Sequence, residues 1–94
     1  MDLGKAIKAI RKNKGFKQGN FCEKLGITQS YLSSIENNKK KPSVEVLEKI
    51  AETVGMPISI LFWFTVTEED VDKTKLEMFK LLKPSIDKLV TELF

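Results

Sequence analysis

A four-residue turn at residues 25–28 is the feature that most restricts how this chain can fold. It joins two short segments of helical spacing, residues 17–25 and residues 28–36. Gly26 tolerates the left-handed backbone conformation that a tight turn requires, and Thr28 is a suitable N-terminal cap for the second segment. Helices joined by so short a connection cross steeply and pack against each other. The sequence therefore predicts a protein built around this pair of helices.

Helical periodicity extends over almost the whole chain, and no segment alternates polar and apolar residues as a half-buried strand does. Further helices are expected over roughly residues 3–14, 43–54, 57–64 and 67–94, starting at Asp2, Ser43, Pro57 and Thr67. Pro84 is expected to kink or restart the last helix. The expected inner faces of the first and fourth helices are Leu3, Ala6, Ile7, Ile10, Val44, Leu47, Ala51 and Val54. We therefore predict an all-α fold.

The composition excludes several chemistries. The chain contains no histidine, so the commonest general base and metal ligand is missing. Its one cysteine, Cys22, can form neither an intrachain disulfide nor a cysteine-based metal cage, and its place beside the tight turn favours a small core residue over a redox role. Ser33 and Ser34 have no histidine to activate them, and the acidic residues at 68–72 lack the spacing of a calcium loop. We therefore expect no catalysis, cofactor or metal.

The charge is distributed unevenly along the chain. Residues 1–41 contain ten basic and three acidic side chains, a net charge of +7, whereas residues 42–94 contain six basic and ten acidic ones, a net charge of −4. So basic a half favours a polyanion partner, because each neutralised phosphate releases a condensed counterion. A solvated, lysine-rich surface is the alternative, and charge alone does not decide between them.

The segment 28–36 separates into two faces when each residue turns by 100°. The inner face consists of Tyr31, Leu32 and Ile35. The outer face is short, polar and uncharged and consists of Gln29, Ser30, Ser33 and Ser34. A merely solvated helix usually carries Lys and Glu, whereas amides and hydroxyls beside a basic loop suit hydrogen bonding to base edges in a DNA major groove. An ordinary polar surface is the competing interpretation.

Five short segments form a pattern of motifs at fixed spacings, without gaps. They are residues 10–18 (IRKNKGFKQ), 23–33 (EKLGITQSYLS), 35–37 (IEN), 42–43 (PS) and 47–51 (LEKIA). Together they resemble the lambda-repressor-like (Cro/CI-type, XRE family) helix-turn-helix DNA-binding domain. The resemblance covers about residues 3–62. It implies a five-helix domain that binds operator DNA, usually as a dimer on a palindrome.

The resemblance also implies roles for individual residues. The positions that match base-contacting residues are Thr28, Gln29, Ser30, Ser33 and Ser34. The positions that match DNA-backbone contacts are Gln18, Asn37, Lys39, Lys40 and Lys41. Arg11 and Glu36 match a pair that often forms a structural ion pair. The chain departs from the family pattern at Lys17, which replaces a Ser or Thr cap, at Gly19 and Cys22, and at Asn38, which replaces a frequent glycine.

Residues 65–94 lie outside the resemblance and carry more apolar side chains than a small five-helix core can cover. We predict a DNA-binding domain at 1–64 and a helical C-terminal extension at 65–94. The expected dimer interface consists of Trp63, Phe64, Phe79, Leu82, Ile86 and Leu89. Two alternatives stay open: the extension closes the core of its own chain, or it binds a separate protein, as an antitoxin does.

These features predict a sequence-specific DNA-binding transcriptional regulator that acts as a homodimer on double-stranded DNA. No signal peptide is visible at the N-terminus, and the longest apolar run is too short to span a bilayer. A cytoplasmic location without a membrane partner is therefore expected. Neither the operator nor the sign of regulation can be read from the sequence.

Overall fold

The computed structural model describes residues 1–94 and is all-α, which confirms the predicted fold class. The α-helices are α1 (Leu3–Asn13), α2 (Gln18–Leu25), α3 (Gln29–Glu36), α4 (Val44–Val54), α5 (Ile58–Trp63) and α6 (Leu76–Leu93). Two single-turn 3₁₀ helices, Glu68–Asp70 and Lys73–Lys75, connect α5 to α6. None of the helices combines the length and the hydropathy that a membrane crossing requires.

Local sequence signals set most of the helix ends. The side chains of Asp2, Thr28 and Ser43 each accept a hydrogen bond from the backbone amide three residues later, which satisfies a donor that the first helical turn leaves free. Gly26 ends α2 in the left-handed conformation, with φ of 69°. Lys17 precedes α2 without any side-chain cap, so α2 begins less firmly than α3.

One apolar core holds α1 to α5 together. Its fully buried side chains come from all five helices and are Ile7, Phe21, Leu25, Leu32, Ile35, Ile50 and Leu61. Burying a side chain of this size contributes about 1.5–3 kcal/mol. Cys22 belongs to the same core, and its thiol donates to the carbonyl of Gly19 at 3.1 Å. The interpretation of Cys22 as a packed small residue is therefore confirmed.

Val44 was expected in the core, and this prediction is wrong. Its side chain is 66% exposed, whereas Leu47 and Ile50 on the same helix are buried. Val44 is the first residue of α4, and the contacts of this helix with the core begin only at Val46 and Leu47. Helical spacing predicts which face a residue shares, but it does not predict how far along the helix the core extends.

The last helix begins later than predicted. Thr67 and Asp70 do form a capping box, but the turn that they cap is a separate 3₁₀ helix of three residues. Val71 then adopts an extended conformation, and the carboxylate of Asp72 accepts a hydrogen bond from the amide two residues later. The backbone therefore starts a new turn here, and α6 begins only at Leu76.

Of the two outcomes expected at Pro84, a kink or a restart, the restart is wrong, because α6 runs through this residue without interruption. Proline has no N–H group, so the carbonyl of Lys80 loses its donor within the helix. Both Lys80 and Pro84 are exposed. Water can therefore satisfy that carbonyl, which is why the helix tolerates the proline.

A small polar cluster attaches α6 to the rest of the chain. The indole Nε1 of Trp63 donates to the carboxylate of Asp87 at 2.9 Å. The ammonium group of Lys83 donates to both oxygens of that carboxylate and lies 4.8 Å from the centre of the Trp63 ring. At the far end of α6, Lys14 donates to the carbonyl oxygen of Phe94. These contacts join α6 to α5 and α1 without burying its apolar side.

Candidate nucleic-acid interface

The outer face of α3 is polar, uncharged and open to solvent. On the inner face Leu32 and Ile35 are buried and Tyr31 is half-buried, as the helical spacing predicts. The side chains on the outer face and at its start are Thr28, Gln29 and Ser30, which are exposed, and Ser33 and Ser34, which are half-buried. The core packing of α3 therefore leaves this row of amide and hydroxyl groups available to an outside partner.

Gln18 and Gln29 connect the start of α2 to the start of α3. The side-chain amide of Gln29 donates to Oε1 of Gln18 over 3.5 Å, a long and weak hydrogen bond. The amide of Gln18 in turn donates to Oε1 of Glu36 at 3.1 Å. Gln29 keeps its carbonyl oxygen and one N–H free. It could therefore form the two-point hydrogen bond by which glutamine recognises adenine.

A buried ion pair joins α1 to the end of α3. Nε and Nη2 of Arg11 donate to the two carboxylate oxygens of Glu36 at 2.7 and 3.1 Å. The side chains are only 6% and 2% exposed. Nη1 of Arg11 also donates to the carbonyl of Phe16, just before α2. One guanidinium group therefore ties three elements together, and neither charged partner is available to DNA.

The segment after α3, which we call the lysine loop (residues 39–41), has a fixed backbone and free side chains. The amides of Lys39 and Lys40 both donate to the carbonyl of Ser34, at 2.8 and 3.2 Å. Asn37 donates from its side chain to the carbonyl of Ser33 at 2.9 Å. The three lysines are exposed and none forms an ion pair. Their charges therefore stand unneutralised beside the polar face of α3.

The contacts of Asn38 were not predicted from the sequence. Its side chain hydrogen-bonds to the backbone of Gly4 and to the carboxylate of Asp2, both at the start of α1. The only local signal was an asparagine where the family pattern often has glycine. A side-chain contact across 34 residues leaves no trace in helical spacing.

A second exposed surface lies on α6. Its apolar side chains recur at alternating steps of three and four residues, and they are Phe79, Leu82, Ile86, Leu89 and Leu93. We call this row the α6 seam. The exposed fractions of Leu82, Ile86 and Leu89 are 46%, 38% and 61%. This spacing is typical of helices that pair along an apolar stripe.

The residues expected to form a dimer interface therefore fall into two groups. Phe79, Leu82, Ile86 and Leu89 line the α6 seam and are half-buried or exposed. Trp63 and Phe64 instead contact their own chain, because Phe64 packs against the core and Trp63 hydrogen-bonds to Asp87. The alternative in which the extension only closes the core does not account for the exposure of the α6 seam.

Comparison with known proteins relates the first two thirds of the chain to DNA-binding proteins. The sequence model of the family described as Helix-turn-helix matches residues 7–61. The HTH-type transcriptional regulator SinR of Bacillus subtilis (strain 168) is 40% identical over 60 residues, which are 63% of this chain and 54% of SinR. The chain thus spans about half the length of the curated relative that it matches.

Two solved structures are similar to this one. A crystal structure of SinR in complex with DNA is 39% identical and covers 64% of this chain and 97% of that chain, with a TM-score of 0.60. A structure of a SinR protein/SinI protein complex is 34% identical and covers 89% of this chain and 78% of that chain, with a TM-score of 0.63. The second match extends beyond the five-helix region into α6.

Proposed function

Because the chain belongs to the helix-turn-helix family, we propose that it is a sequence-specific DNA-binding transcriptional regulator that acts as a homodimer on a palindromic operator. In this proposal α3 enters the major groove and the lysine loop contacts phosphates, together with Gln18 and Asn37. The side chains that face the base edges are Thr28, Gln29, Ser30, Ser33 and Ser34. Repression by occlusion of a promoter and activation by recruitment of polymerase are both compatible with this geometry.

The observation that carries the proposal is the uncharged row of exposed and half-buried hydrogen-bonding groups on α3, which lies beside the unpaired charges of the lysine loop. Base readout needs donors and acceptors that the protein itself does not satisfy. Phosphate contacts need cations that no carboxylate neutralises. The α3 face and the lysine loop meet these two requirements side by side. Similarity to SinR, which has been solved in complex with DNA, supports the same assignment.

We further propose that residues 1–64 form the DNA-binding unit and that residues 65–94 form the dimerisation unit. A single copy reaches one half-site, and two copies related by a two-fold axis would place their α3 helices roughly 34 Å apart on one face of the DNA. The α6 seam supplies the contact between copies in this proposal. It is the apolar surface that one copy leaves in water, and pairing would bury it.

Promoter occupancy involves binding alone, so the proposal assigns no catalytic step to the chain. It assigns the protein to the compartment that contains the DNA, which in a bacterium is the cytoplasm.

A second candidate function is that of an interaction protein, in which the C-terminal segment binds a separate protein and DNA binding serves autoregulation. The similarity to the SinR/SinI complex supports this candidate, because that structure contains two different proteins and the match covers 89% of this chain, including part of α6. Sedimentation and limited proteolysis of the purified chain together distinguish the two candidates. A dimer with a protease-resistant α6 supports the homodimeric regulator, and a monomer with a cleavable α6 supports a missing partner.

The test of sequence recognition is a selection of bound duplexes from a random pool, followed by binding measurements on the selected site. Replacing Gln29 with Ala is expected to cost about 1–3 kcal/mol on the selected site and far less on random DNA. Asn13→Ala, which removes an exposed amide at the end of α1, serves as the matched control and should bind normally. Equal losses on both kinds of DNA would show that Gln29 reads no base.

The test of phosphate contact is the salt dependence of binding. Replacing Lys39, Lys40 and Lys41 with Ala should weaken binding to all sequences and lower the slope of log K against log salt by about three. The matched control removes the same charge from the C-terminal segment through Lys73, Lys80 and Lys88. A slope that changes equally in both triple variants would contradict the assignment of the lysine loop.

A further inference from the structure

Asn38 holds a backbone conformation that usually belongs to glycine. Its φ is 58°, in the left-handed region that few side chains adopt, and its amide donates to the carbonyl of Ile35 at 3.0 Å. Every other residue of the chain with positive φ is a glycine. An asparagine at this point keeps the turn that ends α3 and adds a side chain that glycine lacks.

That side chain connects the end of α3 to the start of α1. Oδ1 of Asn38 accepts a hydrogen bond from the amide of Gly4 at 2.9 Å, and Nδ2 donates to Oδ1 of Asp2 at 2.8 Å. The amide of Gly4 is one of the donors that the first turn of a helix leaves unpaired. The same carboxylate of Asp2 accepts from the amide of Lys5. Asp2 and Asn38 therefore cap α1 together.

The contact between the two helix ends leaves no spare room. A Cβ atom on Gly4 would lie 2.5 Å from the carbonyl oxygen of Ile35, 2.6 Å from Oδ1 of Asn38 and 2.7 Å from the carbonyl oxygen of Glu36. The first turn of α1 thus lies directly against the last turn of α3. Since α1 is packed in the core through its buried apolar side, it provides a rigid support for Asn38.

The lysine loop begins at the residue after Asn38. The backbone of this loop is held only by the hydrogen bonds from Lys39 and Lys40 to the carbonyl of Ser34. Binding through ordered cations costs less conformational entropy than binding through mobile ones. A side chain that fixes the start of the loop therefore lowers the cost of placing the lysines against phosphates.

We propose that Asn38 is a positioning residue for DNA binding, which clamps the start of the lysine loop to the first turn of α1 through Gly4 and Asp2. The inference rests on the proposed function, since it assumes that the lysine loop contacts phosphates. Asn38 itself touches no base. The hydrogen bond from Asn38 is also the largest cause of the lowered pKa of Asp2, as expected for an amide that donates to a carboxylate.

The experiment compares Asn38→Gly, Asn38→Asp and the exchange variant Asp2→Asn/Asn38→Asp with the wild-type chain. Glycine keeps the left-handed turn and removes the clamp, so it should weaken binding to the selected and random duplexes by about five- to tenfold, the size expected for the loss of one ordinary hydrogen bond. Asn38→Asp should weaken binding further, because two carboxylates would then face each other. The exchange variant should bind more tightly than Asn38→Asp, since the exchanged amide can donate to the exchanged carboxylate with unchanged net charge.

Amide hydrogen exchange of the free protein provides a second readout. Protection of the Lys39 and Lys40 amides should fall in Asn38→Gly and Asn38→Asp and return in the exchange variant, while amides of α4 stay protected. Unchanged protection and affinity in Asn38→Gly would overturn the proposal, and so would an exchange variant that stays folded without recovering either property. A wild-type chain that binds no duplex would refute the proposed function instead. Amide hydrogen exchange would still decide whether the clamp exists.

Discussion

Apolar side chains are mostly buried in the five-helix region (residues 3–64) and mostly exposed in the C-terminal segment (residues 65–94). In the five-helix region they form a single core, and the surface of α3 is polar. In the C-terminal segment several large apolar side chains face water: Met78, Leu81, Leu89 and Leu93 are each more than 60% exposed. No residue of α6 is buried.

This difference indicates which region is complete in one copy. A core closed by five helices accounts for the apolar residues of the first region, and its remaining surface is suited to a polyanion. The α6 seam has a regular apolar spacing and is largely exposed, and an exposed apolar row of this kind is typical of interaction sites. We therefore propose that the five-helix region folds by itself, whereas the C-terminal segment depends on a second chain to bury its apolar side.

The largest expected effect tests whether the five-helix region is one interlocked unit. Replacing Arg11 with Ala leaves the carboxylate of Glu36 buried without its partner and should lower the free energy of unfolding by about 3–5 kcal/mol. Urea denaturation measures this loss. Lys12→Ala is the matched control, since Lys12 is exposed and forms no ion pair. A loss below about 1 kcal/mol would mean that the pair contributes no more than a surface salt bridge.

The second prediction tests the C-terminal segment. Leu89→Ser should weaken dimerisation by about 2–4 kcal/mol, because a symmetric dimer loses two leucines from its seam. Sedimentation equilibrium measures the dissociation constant. Leu81→Ser is the matched control, since Leu81 is 75% exposed and lies outside the α6 seam. If both variants dimerise like wild type, the seam is not the contact between copies.

The third prediction contrasts two glycines of the five-helix region. A Cβ atom on Gly19 would meet no atom within 4 Å, so Gly19→Ala should raise the free energy of unfolding by about 0.5–1 kcal/mol through helix propensity. Gly4→Ala should be destabilising, because its Cβ would collide with backbone carbonyls of α3. Thermal unfolding of the two variants measures both effects. A stable Gly4→Ala variant would contradict the close approach of α1 and α3.

The smallest effect is a pH dependence within the five-helix region. The hydrogen bond from Asn38, followed by that from the Lys5 amide, lowers the pKa of Asp2 below its ordinary value of 3.8. Since the folded pKa is the lower one, the stabilisation by Asp2 is present above pH 3.8 and is lost as the pH falls through the folded value. The difference in free energy of unfolding between wild type and Asp2→Asn should therefore decrease as the pH falls below 3.8. A difference that stays constant in acid would contradict the ionised contact.

Local features of this protein could be predicted because they depend on neighbouring residues. The left-handed glycine at Gly26 and the caps at Thr28 and Ser43 involve groups at most three residues apart. The inner face of α3 follows from the 100° step of a helix. The number of apolar residues in 65–94 already showed that a small core could not cover them all. These features involve residues that are close together in the chain, so the sequence by itself determined the position of α1 to α5, the turn and the uncharged face of α3.

Only the tertiary structure decided how distant residues meet. Val44 has a core-like spacing but lies beyond the end of the core, and α6 begins at Leu76 rather than at Thr67. The contacts of Asn38 with Gly4 and of Trp63 with Asp87 join residues 34 and 24 positions apart. Such contacts depend on how whole helices pack, and that packing is a property of the complete core rather than of any one segment.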